Sequence, residues 1–142
     1  LYSPRLTNYN KMFVDLSLSH TGDVVCMRLF DKKINDHDWG VFETCYLQML
    51  ANVPQFAFII DTTDASIYAP RWIKKFVKLM IDTTPQTRKC ISQFVVVVNN
   101  DTIRKMINTI VKMNDSERNV WFVKTTNQAL EDLTTRPLDI MI

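Results

Sequence analysis

Phe56-Ala-Phe-Ile-Ile60 and Phe94-Val-Val-Val-Val98 are two short, wholly apolar runs, with a basic stretch of helical spacing, Arg71 to Met80, between them. Each run stops at a polar residue, Asp61 and Asn99. Apolar runs of about four to eight residues without alternation fit strands buried on both faces, and a helix between two of them is what a parallel crossover requires. The stretch from Phe56 to Asn99 therefore predicts a β-α-β unit inside a parallel sheet.

Toward the N-terminus, Met12 to Leu18 alternates, with Val14, Leu16 and Leu18 on one side and Phe13, Asp15 and Ser17 on the other. His20-Thr-Gly-Asp23 reads as a turn in which Gly22 can take positive φ, and Val24 to Phe30 as a second strand, which makes an antiparallel hairpin. Asn35 or Asp36 can cap a helix carrying Trp39, Phe42, Cys45, Tyr46, Met49, Leu50 and Val53 at three- and four-residue spacing, closed by Pro54. Asp61 to Pro70 reads as a polar loop, and Thr83-Thr-Pro85 as the end of the basic helix. Further on, Asn100 or Asp101 can cap a helix with Ile103, Met106, Ile107, Ile110 and Val111 as its stripe, ended by Asn114-Asp-Ser116. Val120 to Val123 reads as a fifth strand, and Thr125-Thr126 as the cap of a last helix around Gln128 to Leu133.

The predicted order is β-β-α-β-α-β-α-β-α. It describes an α/β fold with a mainly parallel five-stranded sheet, an N-terminal antiparallel hairpin and about four helices. One domain is expected over residues 1–142, with its core at about 12–133 and extensions at 1–11 and 134–142. Right-handed crossovers are expected to place helices on both faces of the sheet.

Composition narrows the function classes. Apolar residues make up 46% of the 142 and charged ones 23%, the balance of a folded domain rather than a disordered chain. A net charge of +2 does not call for DNA, RNA or an anionic membrane, and no nucleic-acid partner is expected. Cys26, Cys45 and Cys90 have no close pair spacing and apolar neighbours, so they read as small buried hydrophobes in a reducing, cytoplasmic setting. No run approaches the roughly 18 apolar residues of a membrane span, and no signal-peptide pattern is visible. The chain opens on Leu1 rather than Met, which leaves open what precedes it.

Only two glycines occur, Gly22 and Gly40, and neither follows a strand as a dinucleotide fingerprint or a P-loop requires. His20 and His37 are too few for a metal site, and no glycine flanks a serine as in a nucleophile elbow. A non-catalytic chain without metal or cofactor is the expectation.

Two groups of residues remain as binding candidates. Ligands of open α/β sheets sit beyond the carboxyl ends of the strands, which here gather Asp61, Thr62, Asp64, Asn99, Asp101, Lys124 and Thr125. Acid at one strand end and lysine at another is the make-up of receivers and of aspartyl phosphotransfer sites. Against this, Leu18-Ser-His20 stands where a receiver carries an acidic pair, and Asp61-Thr-Thr-Asp64 lacks the Asp-Xaa-Asp spacing of aspartyl phosphatases. Helix caps and turns account for the same residues. The second group is the outer face of the basic helix, Arg71, Lys74, Lys75 and Lys78, which suits a phosphate or an acidic partner, or is simply solvated. Trp72 falls with Ile73, Phe76, Val77 and Met80 on the inward stripe of this helix and reads first as core, with partial exposure beside Arg71 as the alternative. The binding candidates are therefore Arg71, Trp72, Lys74, Lys75, Lys78, Asp61, Asp64 and Asn99. Leu138 to Ile142, apolar and nearly uncharged, is expected to pack on the domain or on a neighbour, which leaves an oligomer through this tail open.

The element order over about residues 12–133 resembles the STAS domains of anti-sigma-factor antagonists and, on the same general fold, the CRAL-TRIO lipid-binding domains. On the STAS side the resemblance rests on the hairpin around Gly22-Asp-Val-Val25, the strand ending in Asp61, and Val120-Trp-Phe-Val123 followed by Gln128-Ala-Leu130. On the CRAL-TRIO side it rests on Pro85-Gln-Thr-Arg-Lys-Cys-Ile-Ser-Gln-Phe-Val-Val-Val-Val-Asn99, with the Ile103 to Val111 helix and the Arg118 to Lys124 strand following in register. The STAS likeness implies a protein-binding or regulatory module; the CRAL-TRIO likeness implies a lipid or other apolar ligand. Phosphoregulated STAS domains end the loop after the third strand in Asp-Ser-Ser-Gly, whereas this chain has Tyr68-Ala-Pro-Arg71, and proline has no hydroxyl to phosphorylate. CRAL-TRIO domains usually use more chain to enclose their cavity. A continuous cavity between the Trp72 to Met80 helix and the Phe94 strand would favour the lipid branch over a filled core.

Overall fold

The computed structural model describes residues 12–114 and 119–135. The elements are β1 (Val14–Leu18), β2 (Val24–Phe30), α1 (Asp36–Asn52), β3 (Phe56–Asp64), α2 (Pro70–Asp82), α3 (Thr84–Cys90), β4 (Ile91–Val97), α4 (Asp101–Asn114), β5 (Val120–Val123) and α5 (Thr126–Thr135). The five strands form one sheet in the order β1-β2-β3-β4-β5. β1 runs antiparallel to β2, and the pairs β2 with β3, β3 with β4 and β4 with β5 are parallel. The α/β class, the hairpin and the parallel body are those the apolar patterning predicts. In the hairpin turn Gly22 takes φ +80°, a conformation that costs a residue with a Cβ and costs glycine nothing. Asp23 closes the turn by accepting from the hydroxyls of Thr21 and Ser19, and the Thr21 bond holds its carboxyl below the usual range.

The strand order decides where the helices go. Right-handed crossovers that always step to the next strand in the same direction place their helices on the same face. Accordingly α1, α2 and α4 pack together over Val25, Met27, Phe56, Phe58, Ile60, Phe94 and Val96. The opposite face, Ile59, Val95, Val97 and Val123, is covered by α5 through Ala129 and Leu133. The crossover helices therefore do not divide between the two faces; among the described residues, only the helix after β5 reaches the second one.

The main core centres on aromatic rings. Phe13, fully buried, lies edge-on to Phe42, Tyr68 and Phe76 at centroid distances of 5.7, 6.2 and 6.2 Å and stacks on Trp39 at 6.3 Å. Strict alternation puts Phe13 on the side of the strand away from Val14. The chain instead bends just before β1, so that both residues enter the same core.

Boundaries differ from the predicted ones where polar residues continue an element. β3 extends through Asp61-Thr-Thr-Asp64 instead of giving way to a loop, because two β-branched threonines suit extended backbone. The Thr83 hydroxyl donates to the Leu79 carbonyl at 2.8 Å and ends α2. Pro85 then falls in the first turn of α3, where its missing N–H leaves no bond unmade. Proline thus opens a fifth helix here as well as following the end of the previous one. The expectations for Asp115 to Arg118, for residues 1–11 and for the Leu138 to Ile142 tail fall outside the described residues.

Candidate functional site

The binding candidates read from the sequence separate into two groups on opposite faces of the sheet. On the α5 face, Asp61 is 6% exposed and its two carboxylate oxygens are occupied. One accepts from the Thr63 amide and hydroxyl at 2.9 and 2.6 Å. The other accepts from the Thr126 hydroxyl at 3.1 Å and lies 3.5 Å from Nε of Arg28. Arg28 also donates to Asp64 at 2.9 Å. In a regular strand, residues three apart point to opposite faces, so Asp61 and Asp64 would not share a partner. The register between β2 and β3 shifts beyond Arg28, with Arg28 opposite Asp61 but Phe30 opposite Asp64. That irregularity brings both acids to one guanidinium.

The remaining polar residues at the strand ends are caps and ties. The Thr62 hydroxyl donates to the Val97 carbonyl at 2.8 Å. Asn100, rather than Asp101, caps α4 by accepting from the Ile103 amide at 3.1 Å. Thr125 accepts from the Gln128 amide, and the Gln128 side chain accepts from the Lys124 amide, a reciprocal arrangement of the capping-box kind. Asn99 is exposed and joins neither group. Asp61 thus acts as a fastening for α5, with neither oxygen open to a ligand. Among the described residues, no group of three His, Cys, Asp or Glu is placed to hold a metal ion.

Beside Asp61 on this face, burial pushes the Cys26 thiol up to about 11 from its ordinary 9.0, with the Asp61 charge adding to the effect. The native thiol should therefore alkylate about 100-fold more slowly at pH 8 than an unperturbed cysteine, from the two-unit deficit in thiolate. The sign for stability follows. A proton held more tightly in the folded state leaves stability intact below pH 9 and removes about 2–3 kcal/mol as pH rises through 11. Iodoacetamide kinetics and alkaline denaturation, each compared with Cys26→Ala, check both. A fast-reacting Cys26 would contradict the burial.

The second group lies on α2. Arg71 donates to Asp36 at 2.7 Å and fastens the start of α2 to the start of α1. Lys78 pairs with Asp82 one turn on at 2.8 Å, a bond that raises its pKa. Trp72 is buried, at 7% exposure, beneath the guanidinium of Arg71 at 4.3 Å and the ammonium of Lys75 at 5.6 Å. The indole is a core residue roofed by cations rather than a free stacking platform. Lys74, Lys75 and Lys105 make no ion pair among the described residues.

The sequence reading did not identify what lies beside these lysines. Between α2 and α4, over the sheet, lies a surface-open apolar groove of about 100 Å³. Ile73, Phe76 and Met80 of α2 form one wall, Met106, Ile107 and Ile110 of α4 the other, and Ile60 and Phe94 the floor. Ala65, Ser66 and Tyr68, in the connection from β3 to α2, close one end, with the Tyr68 hydroxyl donating to the Phe30 carbonyl at 2.7 Å. A second cavity of about 70 Å³ lies under α1 and α3. It shares Met27, Ile60, Phe76, Met80, Phe94 and Val111 with the groove. Two large apolar side chains stand exposed next to groove residues in sequence, Ile67 at 57% and Ile81 at 53%, and Met113, at 69%, follows two residues after Val111. The signal in the sequence is the breadth of the apolar set on α4: Ile103 and Val111 cover the sheet, leaving Met106 and Ile110 for a neighbour.

No protein-family model, curated protein or solved structure matches this chain. No helix among the described residues is long and apolar enough to cross a membrane.

Proposed function

We propose that this chain is a non-catalytic protein-interaction or regulatory module of STAS-like type, which docks apolar side chains of a partner in the groove between α2 and α4. The observation that carries the proposal is the groove's size and openness. At about 100 Å³ it suits one or two apolar side chains, whereas pockets that enclose a drug-sized ligand run to roughly 300–1,000 Å³. The exposed Ile67, Ile81 and Met113, close in sequence to the groove, support an interface. Asp61, with both oxygens engaged, supports no nucleophile.

A CRAL-TRIO-like binder of a lipid or other apolar small molecule is the second reading. It is favoured by the six residues that the groove and the inner cavity share, since movement of Phe76 and Met80 would join the two spaces.

One experiment separates them. A photoreactive benzophenone side chain placed at Met113, and at Leu47 on α1 as a control, is irradiated in the producing cell and the adducts are weighed. Discrete protein adducts at position 113 and not at 47 are the expected result. Lipid adducts at 113 would transfer the proposal to the second reading, and indistinguishable adducts at both positions would sink it.

A further inference from the structure

We infer that the occupant of the α2–α4 groove is an acidic amphipathic helix of a protein partner, about two turns of which lie against the groove. This inference rests on the docking role proposed above and adds the partner's shape and charge.

Shape comes from the walls. The lining runs from Ile73 to Met80 on α2 and from Ile103 to Val111 on α4, so at 1.5 Å per residue the furrow between them is about 10–12 Å long. Its apolar side chains continue along that length, from Ile73 past Phe76 and Met106 to Met80 and Ile110, and the exposed Ile81 and Met113 follow on the same helices. A partner that matches this line needs apolar anchors about one turn apart on one face, which a helix provides at i, i+3 or i+4, and i+7. Strand addition is excluded at this place, because the walls are helices and the floor strands β3 and β4 are paired on both sides. Methionines at Met27, Met80 and Met106 give the lining the adaptability of helix-accepting grooves.

Charge comes from the rim. α2 and α4 together carry seven cations, Arg71, Lys74, Lys75, Lys78, Arg104, Lys105 and Lys112, against two acids, Asp82 and Asp101. The whole chain has a net charge of only +2, so its positive charge is concentrated on this layer and the remainder is net negative. Lys74 follows the groove residue Ile73, and Lys105 precedes the groove residue Met106, so an unpaired lysine stands one helical step from each wall. Carboxylates flanking the partner's apolar stripe would meet both lysines, and a basic helix would be repelled by them.

The test uses two designed 14-residue helical peptides with identical leucine anchors, one with glutamates on its flanks and one with lysines, titrated against the full chain by fluorescence anisotropy. The acidic peptide is expected to bind at least about tenfold more tightly, with the advantage shrinking as salt is added. The double variant Lys74→Glu, Lys105→Glu, checked for folding by circular dichroism, is expected to reverse the order, since both exposed pairs turn repulsive. Met106→Gln should weaken the acidic peptide without altering the charge preference.

Equal affinities for the two peptides, no binding of either, or an order unchanged in the double variant would overturn the inference. Displacement of the acidic peptide by phosphatidylserine vesicles but not by zwitterionic ones would assign the basic rim to a membrane surface and overturn it as well. If peptides fail while protein adducts at position 113 persist, the groove still docks a protein but not an acidic helix; if both fail, the docking role falls too.

Discussion

Phe13→Ala is expected to lower the unfolding free energy by about 3–5 kcal/mol, the cost of emptying a fully buried aromatic site that cannot collapse. The ring has no solvent exposure and touches Trp39 and Phe42 from α1, Phe76 from α2 and Tyr68 from the loop between β3 and α2. Each neighbour is held by other rings, with Trp39 and Phe76 at 4.8 Å and Phe42 and Tyr46 at 5.8 Å, so none can swing in without leaving a gap of its own. Urea denaturation measures the loss, and Phe13→Leu, which keeps most of the volume, should recover more than half of it. A loss under about 1.5 kcal/mol for the alanine variant would mean that the aromatic cluster does not organise the main core.

Asp61→Ala is the second large effect, expected at about 2–4 kcal/mol, because the Thr63 and Thr126 hydroxyls and the Thr63 amide lose a charged acceptor. Asp61→Asn retains an acceptor oxygen and should cost about half as much. Location is the stronger check. Thr126 begins α5, the one helix on its face of the sheet among the described residues, so amide exchange in Thr126–Thr135 should quicken in Asp61→Ala while α1 changes little. Uniform acceleration across the domain would contradict the fastening role. In the wild-type chain, acetyl phosphate with Mg²⁺ should leave Asp61 unmodified, and an acid-labile phosphate lost in Asp61→Asn would show instead that the carboxylate is free to react.

The sheet was legible because its central strands are apolar on both faces. Phe56 to Ile60 and Phe94 to Val98 admit little else, and the hairpin turn announces itself through Gly22 and Asp23. The extension of β3 through Asp61-Thr-Thr-Asp64 was not legible, since a strand that continues in polar residues and changes register looks like a loop. That same change of register joins Asp61 and Asp64 at Arg28, a residue with no special mark in its own strand. Pro85 was read as a stop when it also serves as a start. The cations of α2 and the inward place of Trp72 were visible from their spacing, but not that two of those cations cover the indole.

The groove lay beyond the sequence for a different reason. Whether Met106 and Ile110 meet Phe76 and Met80 closely or leave space depends on how far α2 and α4 stand apart, and helical periodicity says which face is apolar without saying what fills it.

The unbroken strand order has a consequence for how the molecule is made. Every strand hydrogen-bonds to the strand that precedes it in the chain, so no pairing waits for a segment synthesised out of turn. A chain emerging from the ribosome at about 5–20 residues per second can lay down the hairpin, add β3 once α1 has folded back, then β4 and β5. Each addition closes a loop one crossover long, which keeps the entropic cost of every step similar. Until α5 arrives, the nascent sheet presents Ile59, Val95 and Val97 to water, so α5 is also the described element that removes this apolar face from aggregation.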